Sequence, residues 1–293
     1  MELQWIPSAT SSCYHAADGL RRGLQFANPE PNEQLLAATA NLAQEIRTVG
    51  LHEDRFWSHL CAFAHQLESN LQLIRRALQK TVGPNNVSEL TATALIGRIA
   101  DLESAMRDAL PQTDGELRHR CGPLRQHWEA RGPGLLRSFA DLTDPKLLPE
   151  RAEIALVYPA FGGGGVAHLA NNTIRVEAVL TNIVPALPEV LRIGWLLTQL
   201  NHELPIFGER VHGDRLPLLA QLATLPPILQ SAAVVELSSL SADTLAAAIS
   251  GWRVDVAQPA DVADILLNWW DTYQGSRPPW GIALAALDQM LSP

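Results

Sequence analysis

The sequence predicts a mostly helical α+β protein: an N-terminal helical bundle, then a helix-rich part containing one β-hairpin or small antiparallel sheet. Three observations carry this prediction. Apolar residues recur every three or four positions over residues 33–140, as on one face of a helix. An apolar run at 153–161 and a segment of period two at 173–180 are typical of strands. The helical period then returns from residue 188.

Residues 1–32 are predicted to be an irregular segment, because they lack periodicity and end in the breaker cluster at 28–31, Asn-Pro-Glu-Pro. Residues 33–140 then predict four or five antiparallel helices, since the breaks between them are short. These helices run from after the breaker cluster to Gly50, from Glu53 to Gly83, from Ser88 to Pro111, and from Thr113 onward with interruptions at 121–123 and 132–134.

Residues 141–150 are predicted to be a connector, because two Xaa-Pro steps interrupt the periodicity there. Residues 151–293 form the predicted α+β part. Its two strands are expected to pair as a hairpin across a glycine-rich loop. Further helices are expected near 188–201, 214–224, 226–240, 242–251, 259–274 and 280–291.

The charge of the chain argues against two classes of partner. The net charge is −9 and no segment carries a basic run, whereas nucleic-acid binding draws most of its affinity from neutralised phosphates. The longest apolar stretch, near 179–200, is interrupted by charged residues and prolines and is not expected to span a bilayer. We therefore expect no nucleic-acid and no membrane partner. A protein partner is left open, and the sequence gives no oligomeric state.

The cysteines indicate the compartment. Cys13, Cys61 and Cys121 are odd in number and widely spaced, which favours reduced thiols over a disulfide framework. The segment after Met1 has neither the basic region nor the apolar core of a signal peptide. We therefore expect a soluble, cytoplasmic protein.

The run Gly162–Gly165 is the most distinctive local feature. With Val166 and Ala167 it fits the dinucleotide-binding pattern G-x-G-x-x-A after a strand. Only residues 166–171 separate it from the next strand, too few for the crossover helix that this pattern requires. A hairpin loop is therefore predicted. The alternative is a ligand loop beside a cleft, with His168 as its polar group.

A second candidate begins at His202, where the chain nearly matches the zinc-protease motif H-E-x-x-H-x-x-G-x-x-H. His202, Glu203 and His212 stand at the first ligand, the general base and the last ligand. Ile206 replaces the middle ligand, and Pro205 interrupts the helix that two ligands one turn apart need. The three residues remain the catalytic candidates, without a predicted zinc.

A strand hairpin followed by an apolar helix is also the order in which a zincin core presents its metal-binding helix. Residues 188–200 would then be that helix, and they contain no histidine. A scaffold of this kind would lack its metal, and the comparison is one of topology alone.

The helical bundle offers no complete metal set. His119 follows Glu116 with the Glu-x-x-His spacing of a di-metal bundle, but the chain has no second copy. Two loose groups of histidines and cysteines, around Cys61 and around Cys121, are more typical of core packing. We expect no metal and no cofactor.

Two functional hypotheses remain. The first is a non-catalytic interaction or scaffold protein, because no complete catalytic motif is present and one of Trp269 and Trp270 is expected at a partly exposed surface. The alternative is an enzyme or a degenerate enzyme-like protein with a cleft near Gly162–Gly165 and residues 188–212. Its candidate polar residues are His168, Glu177, Glu189, Arg192, His202, Glu203 and His212.

Overall fold

The computed structural model describes residues 1–26, 32–67 and 69–292 of the chain. It is 66% helical, with twelve helices and a small four-stranded mixed sheet among these residues, and this confirms the predicted mostly helical α+β class. The predicted breaker cluster at 28–31 lies outside the described residues.

The helices and strands have the following bounds. The strands are β1 (Glu2–Pro7), β2 (Arg151–Val157), β3 (Gly165–His168) and β4 (Thr173–Glu177). The helices are α1 (Ala9–Arg21), α2 (Glu33–Thr48), α3 (Glu53–Phe63), α4 (Asn70–Val82), α5 (Glu89–Ala109), α6 (Thr113–Leu142), α7 (Glu189–Leu197), α8 (Pro205–Gly208), α9 (Leu216–Val234), α10 (Ala242–Gly251), α11 (Pro259–Ser276) and α12 (Trp280–Met290).

The N-terminal segment differs from its prediction, because residues expected to be irregular form β1 and α1. Ser8 caps α1: its Oγ accepts a hydrogen bond of 3.0 Å from the backbone N–H of Ser11. The buried face of α1 includes small polar residues such as Ser11 and Ser12. Apolar periodicity therefore does not reveal this helix.

The helices of residues 33–109 follow the predicted faces, with one difference. Leu35, Leu42 and Ile46 are fully buried in α2, as the spacing predicts. The stretch predicted as one helix from Glu53 to Gly83 is divided into α3 and α4. Neither glycine nor proline marks the division, so the sequence gives no strong signal of it.

The helix α6 also differs from its prediction, because it continues through Pro123 and Pro133. A proline inside a helix removes one backbone hydrogen bond, which predicts an interruption. Buried side chains at helical spacing on both sides of Pro133, Trp128 and Leu135, keep the helix packed through that position.

The sheet has the strand order β1-β2-β4-β3. The backbone N–H of Glu2 donates to the carbonyl of Glu150 (2.7 Å), so β1 and β2 start at the same end. The N–H of Glu153 donates to the carbonyl of Asn172 (3.0 Å), so β4 runs the same way as β2. The edge strand β3 is antiparallel to β4.

The glycine run lies elsewhere in the sheet than predicted. The tight hairpin joins β3 to β4 through residues 169–172, and Asn172 at its end has φ = 50°. The glycines form the bend between β2 and β3, where Gly162 and Gly163 have φ of 105° and 98°. Because the chain reverses there into an additional strand, the two predicted strands are parallel neighbours and not the arms of one hairpin.

The described chain forms two compact units. The N-terminal unit contains Trp5–Cys121 and Ala155–Gly162; the C-terminal unit contains Met1–Gln4, Gly122–Ile154 and Gly163–Pro293. This division does not follow the predicted connector at 141–150, which lies within the C-terminal unit. That residues 33–140 fold as a separate bundle stays a prediction.

The core of the N-terminal unit includes a side chain from its second segment, Phe161. The ring of Phe161 lies 5.1 Å from the ring of His15 and 5.0 Å from that of Phe26, centre to centre. Gly19 lies directly beneath it, and a Cβ at this position would overlap the ring. The core is therefore complete only with residues 155–162.

The core of the C-terminal unit contains an aromatic cluster of Trp269, Trp270, Tyr273 and Trp280. Both adjacent tryptophans are buried, so the expectation of a partly exposed one is wrong. The helix α11 packs against three helices, α9, α10 and α12, and these contacts leave neither ring at the surface. Their indole N–H groups donate to the backbone of Ala283 and the side chain of Gln230.

Among the described residues, one helix is long and apolar enough to cross a membrane, namely α9. Of its most apolar window, 67% is buried inside the protein. A core helix of a soluble protein has the same length and composition.

Candidate functional site

The glycine run is packed against the protein itself. A Cβ at Gly163 would lie 2.7 Å from the carbonyl oxygen of Gly251, and a Cβ at Gly165 would lie 2.6 Å from the side chain of Leu196. A Cβ at Gly164 would lie 2.5 Å from Oε1 of Glu177. The glycines are therefore needed where the bend lies against its neighbours, and little space is left for a ligand at those positions.

A buried ionic network supports this bend. The guanidinium of Arg192 on α7 donates to the carbonyl of Gly164, to the carbonyl of Glu177 (3.1 Å) and to the carboxylate of Glu189. The carboxylate of Glu177 also belongs to this network, and its Oε2 accepts a hydrogen bond of 2.9 Å from the backbone N–H of Gly163. Arg192 is 1% exposed, and its donors are engaged by two backbone carbonyls and by Glu189, which gives it a structural role.

His202 is enclosed in the aromatic core of the C-terminal unit. Its Nε2 accepts a hydrogen bond of 3.0 Å from the indole N–H of Trp280, and its Nδ1 lies 2.9 Å from the carbonyl of Gln199. Burial lowers the pKa of His202 to about 4, so the imidazole is neutral near pH 7. Both ring nitrogens are occupied, and neither is available to a metal or a substrate.

The other sequence-predicted residues lie in different environments. Glu203 is exposed, and so is His212, whose Nδ1 lies 3.9 Å from the carboxylate of Asp214. His168 is buried at the end of β3. The structure thus separates exposed Glu203 and His212 from enclosed His202. In the described ranges, no group of three or more His, Cys, Asp or Glu side chains is arranged to hold a metal ion.

The N-terminal unit contains a cavity, and none of the sequence-predicted site residues lines it. This cavity has a volume of about 870 Å³ and is lined by α1, the start of α4, the end of α5 and the start of α6. We call it the Glu103 cavity, after the carboxylate at its wall. Buried Cys13, Met106, Leu110 and Thr113 contribute to its lining.

The face of α5 explains why these side chains meet. Glu103, Met106, Arg107 and Leu110 stand at helical positions i, i+3, i+4 and i+7, which share one side of a helix. This face places one carboxylate, one guanidinium and two apolar side chains along the same cavity. The lining also includes the apolar side chains of Leu67 and Leu71.

Two helices hold the Glu103 carboxylate in place. Its Oε1 accepts a hydrogen bond of 2.9 Å from the hydroxyl of Tyr14 on α1. Its Oε2 accepts one of 2.8 Å from the side-chain amide of Asn70 on α4. Each carboxylate oxygen has a second lone pair, so the group can still accept a hydrogen bond from a ligand.

The two reactive groups beside this carboxylate are kept protonated. Burial raises the pKa of the Cys13 thiol well above its usual range, and the charge of Glu103 adds to the effect. Burial and the same charge raise the pKa of the Tyr14 hydroxyl. A thiol is a nucleophile only as the thiolate, so the raised pKa makes Cys13 a weak nucleophile near pH 7.

Sequence patterns contain only part of this site. The spacing on α5 can be read directly, and Ser69-Asn70 hints at a helix start inside the stretch predicted as continuous. The pairing of Glu103 with Tyr14 joins positions 89 residues apart, for which no local pattern exists.

Comparison with protein-family models, with curated proteins and with solved structures finds no significant match to this chain.

Proposed function

We propose that this protein is a non-catalytic binding protein whose N-terminal unit holds a small organic molecule in the Glu103 cavity. The observation that supports this most directly is the Glu103 carboxylate, oriented by two helices at the wall of a cavity of about 870 Å³. A concave site of this size, with an apolar lining and a few oriented polar groups, is typical of small-molecule binding. The proposal keeps the sequence-based expectation of a non-catalytic interaction protein.

The lining also indicates the ligand. The two groups that donate to the Glu103 carboxylate, the Tyr14 hydroxyl and the Asn70 amide, are both neutral, so an anionic ligand beside Glu103 is disfavoured. Leu67, Leu71 and other apolar side chains suit an apolar body. We therefore propose a neutral, largely apolar molecule with at least one hydrogen-bond donor for Glu103.

The test uses N-phenyl-1-naphthylamine, a neutral apolar probe with one N–H group, whose fluorescence rises in apolar surroundings. One probe is expected to bind per chain. Ala9 is exposed at the rim of the cavity, so Ala9→Trp places an indole in the space the probe needs. This variant is expected to lose affinity by at least about tenfold through steric exclusion.

The matched control is Ala40→Trp, a similarly exposed alanine on α2 outside the cavity lining. It should bind the probe as the unmodified protein does. The sulfonated analogue 8-anilino-1-naphthalenesulfonate should bind more weakly, because its charge meets the Glu103 carboxylate. Equal affinity of the two tryptophan variants would show that the probe binds elsewhere and would contradict the proposal.

The alternative, an enzyme or degenerate enzyme-like protein with a cleft at Gly162–Gly165 and residues 188–212, stays a prediction. The packing of the glycines and the enclosure of His202 give it no added support. As part of the main proposal we assign the protein to the cytoplasm, which agrees with Cys13, Cys61 and Cys121 being thiols that form no disulfide.

A further inference from the structure

A second cavity, of about 560 Å³, lies within the C-terminal unit and is separate from the proposed ligand site. It is lined by α6, by the start of α7 and by residues 180–182. We call it the Glu189 groove. Its apolar lining includes Leu124, Val190, Ile193 and Leu237.

Glu189 lines the groove with a carboxylate although the residue is only 7% exposed, which is uncommon for a charged side chain. Its Oε2 accepts both available hydrogen bonds from Arg192, one of them from Nε at 3.0 Å. Its Oε1 has no hydrogen-bond partner among the described residues and is not enclosed by the protein. This oxygen is therefore the accessible polar atom of a side chain that is otherwise buried.

In this structure Arg192 donates to Oε2 alone and not to both oxygens. Two further N–H groups of its guanidinium donate to the carbonyls of Gly164 and Glu177. Burial raises the pKa of the Glu189 carboxyl, the charge of Arg192 opposes this rise, and the charge of Glu177 adds to it. A cation at the accessible Oε1 would stabilise the charged form of a carboxyl group whose side chain is otherwise buried.

We propose that the Glu189 groove binds a primary amine carried on an apolar body. The ammonium group donates to Oε1 of Glu189, and the apolar body lies against Leu124, Ile193 and Leu237. On the rim, the guanidinium of Arg131 already donates to the carbonyl of Val235, which directs that positive charge toward the backbone.

Three probes with one carbon skeleton and different head groups test this proposal on the full-length protein: 4-phenylbutylamine, 4-phenylbutanol and 4-phenylbutyrate. Binding is measured by isothermal titration calorimetry. The amine is expected to bind with a dissociation constant of about 0.1–1 mM, as suits a ligand of this size. The alcohol and the acid are expected to bind at least about tenfold more weakly, since they lack the charge-assisted bond.

Three variants locate the binding. Ala130 is exposed on α6 and lines the groove, so Ala130→Trp should abolish amine binding without disturbing the core. Glu189→Gln keeps an oxygen for Arg192 and should weaken binding by at least about tenfold. Ala9→Trp, which obstructs the Glu103 cavity, should leave amine binding unchanged.

Three results would overturn the proposal. The first is equal binding of the alcohol or the acid, which would remove the role of the charge. The second is unchanged affinity for the amine in Ala130→Trp. This variant leaves Glu189 and Arg192 intact, so its result does not depend on whether the ionic network tolerates a substitution. The third is loss of amine binding in Ala9→Trp, which would place the amine in the Glu103 cavity and leave the proposed function standing.

Discussion

His202 links the aromatic core of the C-terminal unit to the pH of the solution. The imidazole is neutral and accepts a hydrogen bond from Trp280 inside the protein, and burial lowers its pKa to about 4. An unfolded histidine titrates near pH 6.5. The neutral form therefore contributes its full stability above about pH 6.5, and this contribution is lost as the pH falls from about 6.5 to about 4.

We expect this loss to be measurable by urea denaturation at pH 7 and pH 5. The two pKa values imply that His202 accounts for about 2 kcal/mol of the decrease between these pH values. His202→Gln, which does not titrate, should show a decrease smaller by that amount. His212→Gln is the matched control, because His212 is exposed, and it should behave as the unmodified protein. Identical pH dependence in the two variants would contradict the assignment.

The same residue shows what sequence patterns leave out. The pair His202-Glu203 suggests a ligand and a general base, since the motif depends only on spacing. Trp280, 78 positions away, occupies Nε2 and changes the role of the histidine. Enclosure of this kind comes from tertiary packing and has no signature within a short window of sequence.

At the scale of the elements, Arg192 joins three pieces of the C-terminal unit: the glycine bend, the end of β4 and the first turn of α7. Arg192→Met should destabilise the protein by about 3–5 kcal/mol, because it leaves the Glu189 carboxylate buried without its partner. Chemical denaturation at pH 7 measures this change. The loss should fall mainly in the transition of the C-terminal unit.

The control for this variant is Arg125→Met on α6, where Arg125 and Glu129 form an exposed ion pair. An exposed pair contributes about 0–1 kcal/mol, so the control should change stability little. A loss in Arg192→Met no larger than in the control would show that the network is not needed for the fold.

Most helices could be predicted from the sequence, because one buried face repeats at regular spacing. Ile74 and Leu78 of α4 are buried as their spacing predicts. Leu71 stands three residues before Ile74 and so belongs to the same predicted face, yet it is partly exposed at the Glu103 cavity. The chain breaks between α3 and α4 just before Leu71, and without glycine or proline there the pair Ser69-Asn70 is only a weak signal of this break.

At the scale of the whole molecule, the chain crosses between the two units within β1, α6, β2 and the glycine run. The N-terminal unit therefore needs residues 155–162, including Phe161 above Gly19, in addition to its main segment. The apolar periodicity of residues 33–140 describes local helices and contains no information on this distant segment. Cutting the chain at the predicted connector would remove part of the core.

Two fragments test this requirement. Fragment 1–162 contains the whole N-terminal unit, whereas fragment 1–150 lacks only its last segment. We expect 1–162 to unfold cooperatively in urea and to show a near-ultraviolet circular dichroism signal. Fragment 1–150 should do neither, because it lacks Phe161 and the space that this side chain fills beside Gly19 is left empty. Equal behaviour of the two fragments would favour the sequence-based division near residues 141–150.

The place of Phe161 also bears on protein synthesis. Helices α1 to α5 leave the ribosome well before residues 155–162 are synthesised, and they can form locally during this interval. Gly19, His15 and Phe26 meet their partner only when Phe161 has been added. The nascent chain therefore carries an open apolar surface through the translation of α6 and β2, and this interval is when a chaperone would be most useful to it.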